Sequence, residues 1–234
     1  MQIAGAKALV TGGSRGIGQA LARALVERGA TVGITGRNGG ALERTAQEVG
    51  ARAYPGDVSV ERDAVATVAA FVEDHGRIDV LVNNAGIGIF GALTELSAAD
   101  FERVWRTNVL GAFLMGREAA KHMLRQRSGN VVNVGSTSGL KGDAGSSAYS
   151  SSKFALRALS ECWRAELRRS NVRVIQVNPS EVATRFGEEE DGPEPVAAPN
   201  KLRPEDVADA VVAALALDDR GFLPEFAVFA TNPF

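Results

Sequence analysis

An α/β fold is predicted for this 234-residue chain: one doubly wound sheet of about seven mainly parallel strands, with helices on both faces. Three observations predict it. Short apolar runs alternate with stretches of helical period along nearly the whole length, the pattern of right-handed βαβ units. The composition, 45% hydrophobic and 23% charged, is that of a globular chain and excludes disordered and fibrous classes. Glycine is in excess at 26 residues, which points to tight turns or to close approach of backbone to a ligand.

The elements follow in order. An apolar run at Lys7–Val10 reads as the first strand, and a helix over Ile17–Arg28 ends at Gly29. A strand at Thr31–Thr35 leads to a helix over Ala41–Val49 closed by Gly50, and a third strand follows at Arg52–Tyr54. A helix over Val60–Asp74 precedes a strand at Ile78–Val82. The long periodic stretch Ala98–Arg127 opens with Ser97 as N-cap and Asp100 in its first turn. Then come a strand at Asn130–Val134, a helix over Ser152–Arg169 and a strand at Val172–Val177. Proline and two acids at Pro204-Glu205-Asp206 start a helix to Leu217, and Glu225–Phe229 reads as the last strand. Residues Thr184 to Asn200 have no period; Glu188-Glu189-Glu190-Asp191 is followed by Gly192, Pro193, Pro195 and Pro199, which reads as a solvated loop or a mobile lid.

Several function classes are excluded. With 26 basic and 28 acidic residues, net −2, the chain has no electrostatic footprint for nucleic acid or an anionic membrane. The single Cys162 excludes an internal disulfide and a multi-cysteine metal cluster, and it reads as a core residue of its helix. His75 and His122 have no partner at metal-ligand spacing, so no metal is expected. The N-terminal segment does not read as a signal peptide. The longest apolar stretch, Val207–Leu217, is broken by Asp209 and too short to span a bilayer, so a soluble cytoplasmic single domain over residues 1–234 is expected.

Two motifs carry chemistry. After the first strand, Thr11-Gly12-Gly13-Ser14-Arg15-Gly16-Ile17-Gly18 runs straight into a helix. One glycine makes the turn, one lets the backbone approach a pyrophosphate, one allows close helix–strand packing, and free N–H groups at the helix start face the anion. Where a dinucleotide-binding strand would carry an acid for the ribose 2′-hydroxyl stands Gly36, followed by Arg37. A guanidinium there pairs with a 2′-phosphate, and Arg15 is placed to help, so NADP is expected over NAD. Further on, Tyr149 and Lys153 stand at i,i+4 on one helix face. An ammonium beside a phenol favours the phenolate and brings tyrosine toward proton exchange with an alcohol or carbonyl.

As a set, the glycine loop, Asp57-Val58, Asn83-Asn84-Ala85-Gly86, Asn108, Ser136, Tyr149/Lys153 and Asn178-Pro179 with Thr184 resemble the short-chain dehydrogenase/reductases, a Rossmann-like family, and within it the 3-oxoacyl-carrier-protein reductases. The resemblance implies a cofactor half over about 1–128 and a catalytic half over about 129–234, with 184–200 as the lid. It implies Tyr149 as general acid/base, Ser136 as hydrogen-bond donor to the substrate oxygen, Lys153 on the nicotinamide ribose and Asn108 holding a relay water. Gly12, Ser14, Arg15, Gly16, Ile17 and Gly18 would cradle the pyrophosphate; Asp57 and Val58 would flank the adenine; Asn84, Ala85 and Gly86 would line the adenosine side; Pro179, Val182 and Thr184 would meet the nicotinamide. Asn83 reads as structural. Ser180 stands where relatives have glycine. The function implied is an NADPH-dependent carbonyl reductase assembled as a homodimer or homotetramer. Its substrate would be a small ketone or an acyl thioester, the latter docking on a basic patch drawn from Arg125, Arg127, Arg168, Arg169 and Arg173; the alternative is a catalytically silent NADP-binding sensor.

Overall fold

A computed structural model describes residues 1–184, 186 and 200–232. Seven strands form one sheet: β1 (Lys7–Thr11), β2 (Thr31–Gly36), β3 (Arg52–Pro55), β4 (Val80–Asn83), β5 (Gly129–Val134), β6 (Val172–Pro179) and β7 (Glu225–Val228). Their order is β3-β2-β1-β4-β5-β6-β7, and every neighbouring pair is parallel. The helices are α1 (Gly16–Glu27), α2 (Gly39–Val49), α3 (Glu61–His75), α4 (Ala98–Trp105), α5 (Ala112–Gln126), α6 (Ser147–Leu167) and α7 (Pro204–Ala216).

Period-2 alternation sends successive strand residues to opposite faces. Ala8, Val10, Val132 and Ile175 pack under Leu21, Leu25, Leu42, Val207 and Val211 of α1, α2 and α7. Leu9, Val131 and Val174 pack on the other face under Phe71, Leu114, Met115 and Met123 of α3 and α5. Both faces are dry, which is why the strands read as near-continuous apolar runs. The order of strands reverses between β1 and β4. The loops leaving those two strands therefore diverge at the carboxyl edge of the sheet, where a crevice opens.

Two elements differ from expectation. The stretch Ala98–Arg127 is continuous but not uniform: Arg106–Gly111 between α4 and α5 is a π-helical segment, and Asn108 sits in it. Helix α6 begins at Ser147, five residues before the expected Ser152. A serine run has poor helix propensity because its hydroxyls compete for the backbone. Here those hydroxyls bond inside the helix, Ser152 Oγ donating to the Tyr149 carbonyl at 2.7 Å and Ser151 Oγ to that of Ala148 at 3.1 Å. Cys162 is a correction. It is exposed, because the buried stripe of α6 runs through Leu156, Ser160 and Leu167 and leaves position 162 outside it. Of the expected lid, Arg185 and residues 187–199 lie outside the described residues.

Candidate active site

The glycine loop between β1 and α1 takes the shape its sequence requires. Gly12 and Gly16 have φ of +63° and +56°, a region that L side chains rarely adopt. Gly18 has no room for a side chain, since a Cβ there would run into the Gly12 carbonyl and the Asn84 amide. The N-cap of helix α1, Arg15, makes no side-chain cap bond to its first turn. The first-turn N–H groups of α1 are thus left for an anion. Opposite, Asn84 Nδ2 donates to the carbonyls of Thr11 (2.9 Å) and Gly12 (3.1 Å), while Thr11 Oγ1 accepts from the N–H groups of Asn84 and Ala85. The loops after β1 and β4 are laced together by these bonds.

The two loops open into a cleft of about 980 Å³. The expected cofactor and catalytic residues line it, except Gly18 and Asn108, which stand behind its wall. Arg15 and Arg37 are exposed on its β1–β2 side, and among the described residues neither side chain makes a hydrogen bond or ion pair. Gly36, the last residue of β2, puts no carboxylate there. Asp57 Oδ1 accepts from the backbone and hydroxyl of Ser59, which fixes the turn beside Val58. Thr184 reaches back to the glycine loop: a Cβ on Gly16 would lie 3.4 Å from its methyl carbon. Val182 pairs with Leu202 in an isolated parallel bridge.

The reacting centre lies where α6 crosses the end of β5. Ser136 follows β5 and caps a short 3₁₀ turn over Thr137–Gly139, its Oγ accepting from the Ser138 N–H at 3.1 Å. Burial pushes the Tyr149 phenol up from its ordinary value, and the neighbouring Ser136 hydroxyl pulls the other way. Lys153 is buried, with Nζ 5.7 Å from the Tyr149 ring centre and donating to the Val134 carbonyl at 2.9 Å. Burial lowers its pKa to about 8. Burial is thus the larger influence on the Tyr149 phenol. Asn108 is held on three sides, Oδ1 accepting from the Ile87 N–H and Nδ2 donating to the Ile87 carbonyl and to Ser152 Oγ. Its Oδ1 also lies close to Gly86, where a Cβ would come within 3.2 Å of it.

Asn83 ties strands together, its Nδ2 donating to Asn133 Oδ1 of β5 at 2.9 Å. From there a polar chain crosses the sheet: Asn133 to Ser160 Oγ, Ser160 to Gln176, Gln176 to Asn178, and Asn178 to Glu225, which Arg157 clamps. It passes behind Gly135, where any side chain would run into Gln176 and Asn178. Two residues not singled out from the sequence also stand at the centre: the rings of Phe90 and Phe186 lie 5.5 and 5.3 Å from that of Tyr149. No spacing marks them, since they are distant in sequence and meet only through the fold. The supposed basic patch does not form as expected. Arg173 is buried, bonded to Asn130 and the carbonyls of Leu215, Leu217 and Gly221. The other four arginines sit just ahead of β5 and β6, at the sheet edge opposite the cleft. Among the described residues no group of histidine, cysteine and carboxylates is placed to hold a metal, and no helix is long and apolar enough to cross a membrane.

The family model for short chain dehydrogenases matches residues 6–194. A 3-oxoacyl-[acyl-carrier-protein] reductase of Bos taurus is 38% identical over 177 residues, 75% of each chain. Among solved structures, an alcohol dehydrogenase from the archaeon Thermococcus sibiricus, complexed with 5-hydroxy-NADP, superposes with a TM-score of 0.89 at 29% identity over 97% of both chains. An NAD⁺-bound xylitol dehydrogenase does so with 0.87 at 30% identity, covering 98% of this chain and all of that one.

Proposed function

The chain belongs to the short-chain dehydrogenase family, and on that premise we propose that it is an NADP-dependent carbonyl reductase with Tyr149 as its general acid. The observation that carries this reading is that Tyr149, Ser136 and Lys153 converge in the same cleft as the glycine cradle. The residues present fit a dinucleotide: an uncapped helix start, a loop pinned by two left-handed glycines, and a buried Lys153 with N–H donors to spare beyond its bond to Val134. Nicotinamide, when bound in reduced form, supplies a hydride to the carbonyl carbon and is oxidised. Tyr149 gives its phenolic proton to the carbonyl oxygen, so the product is a secondary alcohol. Ser136 donates a hydrogen bond to that oxygen as charge develops on it. Lys153 and Asn108 return a proton from solvent to the phenolate.

Reduction is the direction expected with NADPH, and burial keeps the Tyr149 phenol in the protonated form that a general acid must have before it acts. Arg15 and Arg37, with no carboxylate at Gly36, support a 2′-phosphate. The archaeal neighbour's 5-hydroxy-NADP agrees, while the NAD⁺ of the xylitol dehydrogenase marks the competing choice. A small ketone suits the cleft better than a carrier-bound thioester, because Arg125, Arg127, Arg168 and Arg169 stand at the opposite end of the sheet from it. A silent NADP-binding sensor would not need all four of Asn108, Ser136, Tyr149 and Lys153. The apolar face over α4–α6 further supports a homo-oligomer.

The test is oxidation of NADPH, with NADH in parallel, against ketones, diketones, ethyl acetoacetate and an acetoacetyl thioester. Turnover with NADPH is expected, with Tyr149→Phe lowering kcat by about 10²–10⁴-fold. Arg37→Asp should weaken NADPH binding by about 1.5–3 kcal/mol and leave NADH nearly unchanged. Equal losses for both cofactors would remove the NADP assignment, and no turnover of any carbonyl would remove the reductase reading.

A further inference from the structure

The ends of three segments bring two phenyl rings to the reacting phenol. Phe90 follows β4, Tyr149 is in the first turn of α6, and Phe186 lies beyond β6. Both phenylalanine rings are tilted against the tyrosine ring, at 56° and 57°. Gly88 sits between them: a Cβ there would be 2.7 Å from Phe186 Cε1 and 2.8 Å from Phe90 Cε2, so a side chain at 88 would push both rings aside. The Gly91 N–H donates to the Gly145 carbonyl at 2.9 Å, which ties the Phe90 loop to the segment leading into α6.

These rings are not core residues. Phe90 is 56% exposed and Phe186 41%, and both face the cleft. Large apolar side chains left open at a concave site mark a ligand surface. Around the phenol stand these two rings, the Ser136 hydroxyl and Lys153, and of these only Lys153 bears charge. With Lys153 assigned to the nicotinamide ribose, the corner keeps no spare charge for a phosphate. It offers two flat faces and their positive edges, which pair best with another ring at offset or tilted geometry.

Resting on the reductase reading above, we propose that Phe90 and Phe186 form an aromatic clamp that selects ketones carrying an aryl group next to the carbonyl. The aryl ring lies against the clamp, and this places the carbonyl oxygen between Tyr149 and Ser136.

The experiment uses the full chain with saturating NADPH and a matched pair of substrates, acetophenone and cyclohexyl methyl ketone, which differ in flatness far more than in size. The wild type is expected to favour acetophenone in kcat/KM by about tenfold. Phe90→Leu and Phe186→Leu keep an apolar side chain but lose the flat face, and should bring the ratio toward unity without moving the NADPH dissociation constant. Equal kcat/KM for the two ketones, or a preference that survives both variants, would overturn the clamp while leaving a working reductase. Turnover of neither ketone alongside brisk turnover of the acetoacetyl thioester would also overturn it. Silence toward every carbonyl would instead bring down the reductase reading, and the clamp with it.

Discussion

Lys153 holds a charge where the fold least favours one. Its pKa falls from the usual lysine range to about 8, with burial as the cause, so the folded state binds its proton less tightly than the unfolded chain does. The penalty is fully present below about pH 8, where both states carry the charge, and is relieved as pH rises from there toward about 10.5, the ordinary lysine value. Converted by linkage, the shift corresponds to roughly 3 kcal/mol, against which the Val134 carbonyl would lose its donor at a cost of about 1–3 kcal/mol. Lys153→Met is therefore expected to melt at the same temperature as the wild type or higher near pH 7, with activity lost. Its advantage should shrink above about pH 8 as the wild-type amine sheds its proton. A variant that melts well below the wild type at pH 7 would contradict this account. At this scale the sequence was readable in grouping, since Tyr149, Ser136 and the lysine were expected together and stand in one cleft. It was unreadable where position alone decides. Cys162 is exposed and Arg173 buried for reasons of helix phase and strand depth that neither side chain announces.

Among the elements, α6 carries the most. It presents Tyr149 and Lys153 to the cleft and, two turns on, sends Ser160 into the polar chain across β5, β6 and β7. Ser160 is fully buried, so Ser160→Ala would strand the Asn133 amide and the Gln176 carbonyl. Each group left unpaired costs about 1–3 kcal/mol, which urea unfolding should read as a lower midpoint at unchanged slope. Cys162→Ser, on the exposed side of the same helix, should stay within about 0.5 kcal/mol of the wild type. A Ser160→Ala midpoint indistinguishable from that control would mean that the chain relaxes around the gap. The inner strands were legible because a sheet buried on both faces writes itself as apolar runs, while the partly exposed edge strands β3 and β7 were read from their alternation with helices. The periodic pattern began α6 only at Ser152, because the serines that argue against a helix are the ones that bond within it, although the Tyr149/Lys153 spacing already placed Tyr149 on that helix. The π segment leaves no periodic trace, since its extra residue changes only the hydrogen-bond register.

For the molecule as a whole, the remaining surface feature is the outer face of α4, the π segment, α5 and α6. Phe101, Leu110, Phe113 and Phe154 are exposed there around a cavity of about 290 Å³ floored by Trp105, Val109 and Leu159. Apolar groups gathered on one helical face suit a two-fold contact between copies. Sedimentation should find a dimer or tetramer, and Leu110→Glu should shift it toward smaller species with the fold intact; a monomeric wild type would exclude the contact. The pairing of β1 with β4 has a consequence of another kind. Ala8 meets Val80 only after the chain has made β2 and β3 and returned, so the crevice at the sheet's reversal closes across one of the longer loops in the topology. Contacts between distant segments form late and slowly during folding. The newly made chain will thus have helices and half a sheet before it has anywhere to hold a nucleotide, and the nucleotide, once held, selectively traps molecules that have completed that closure.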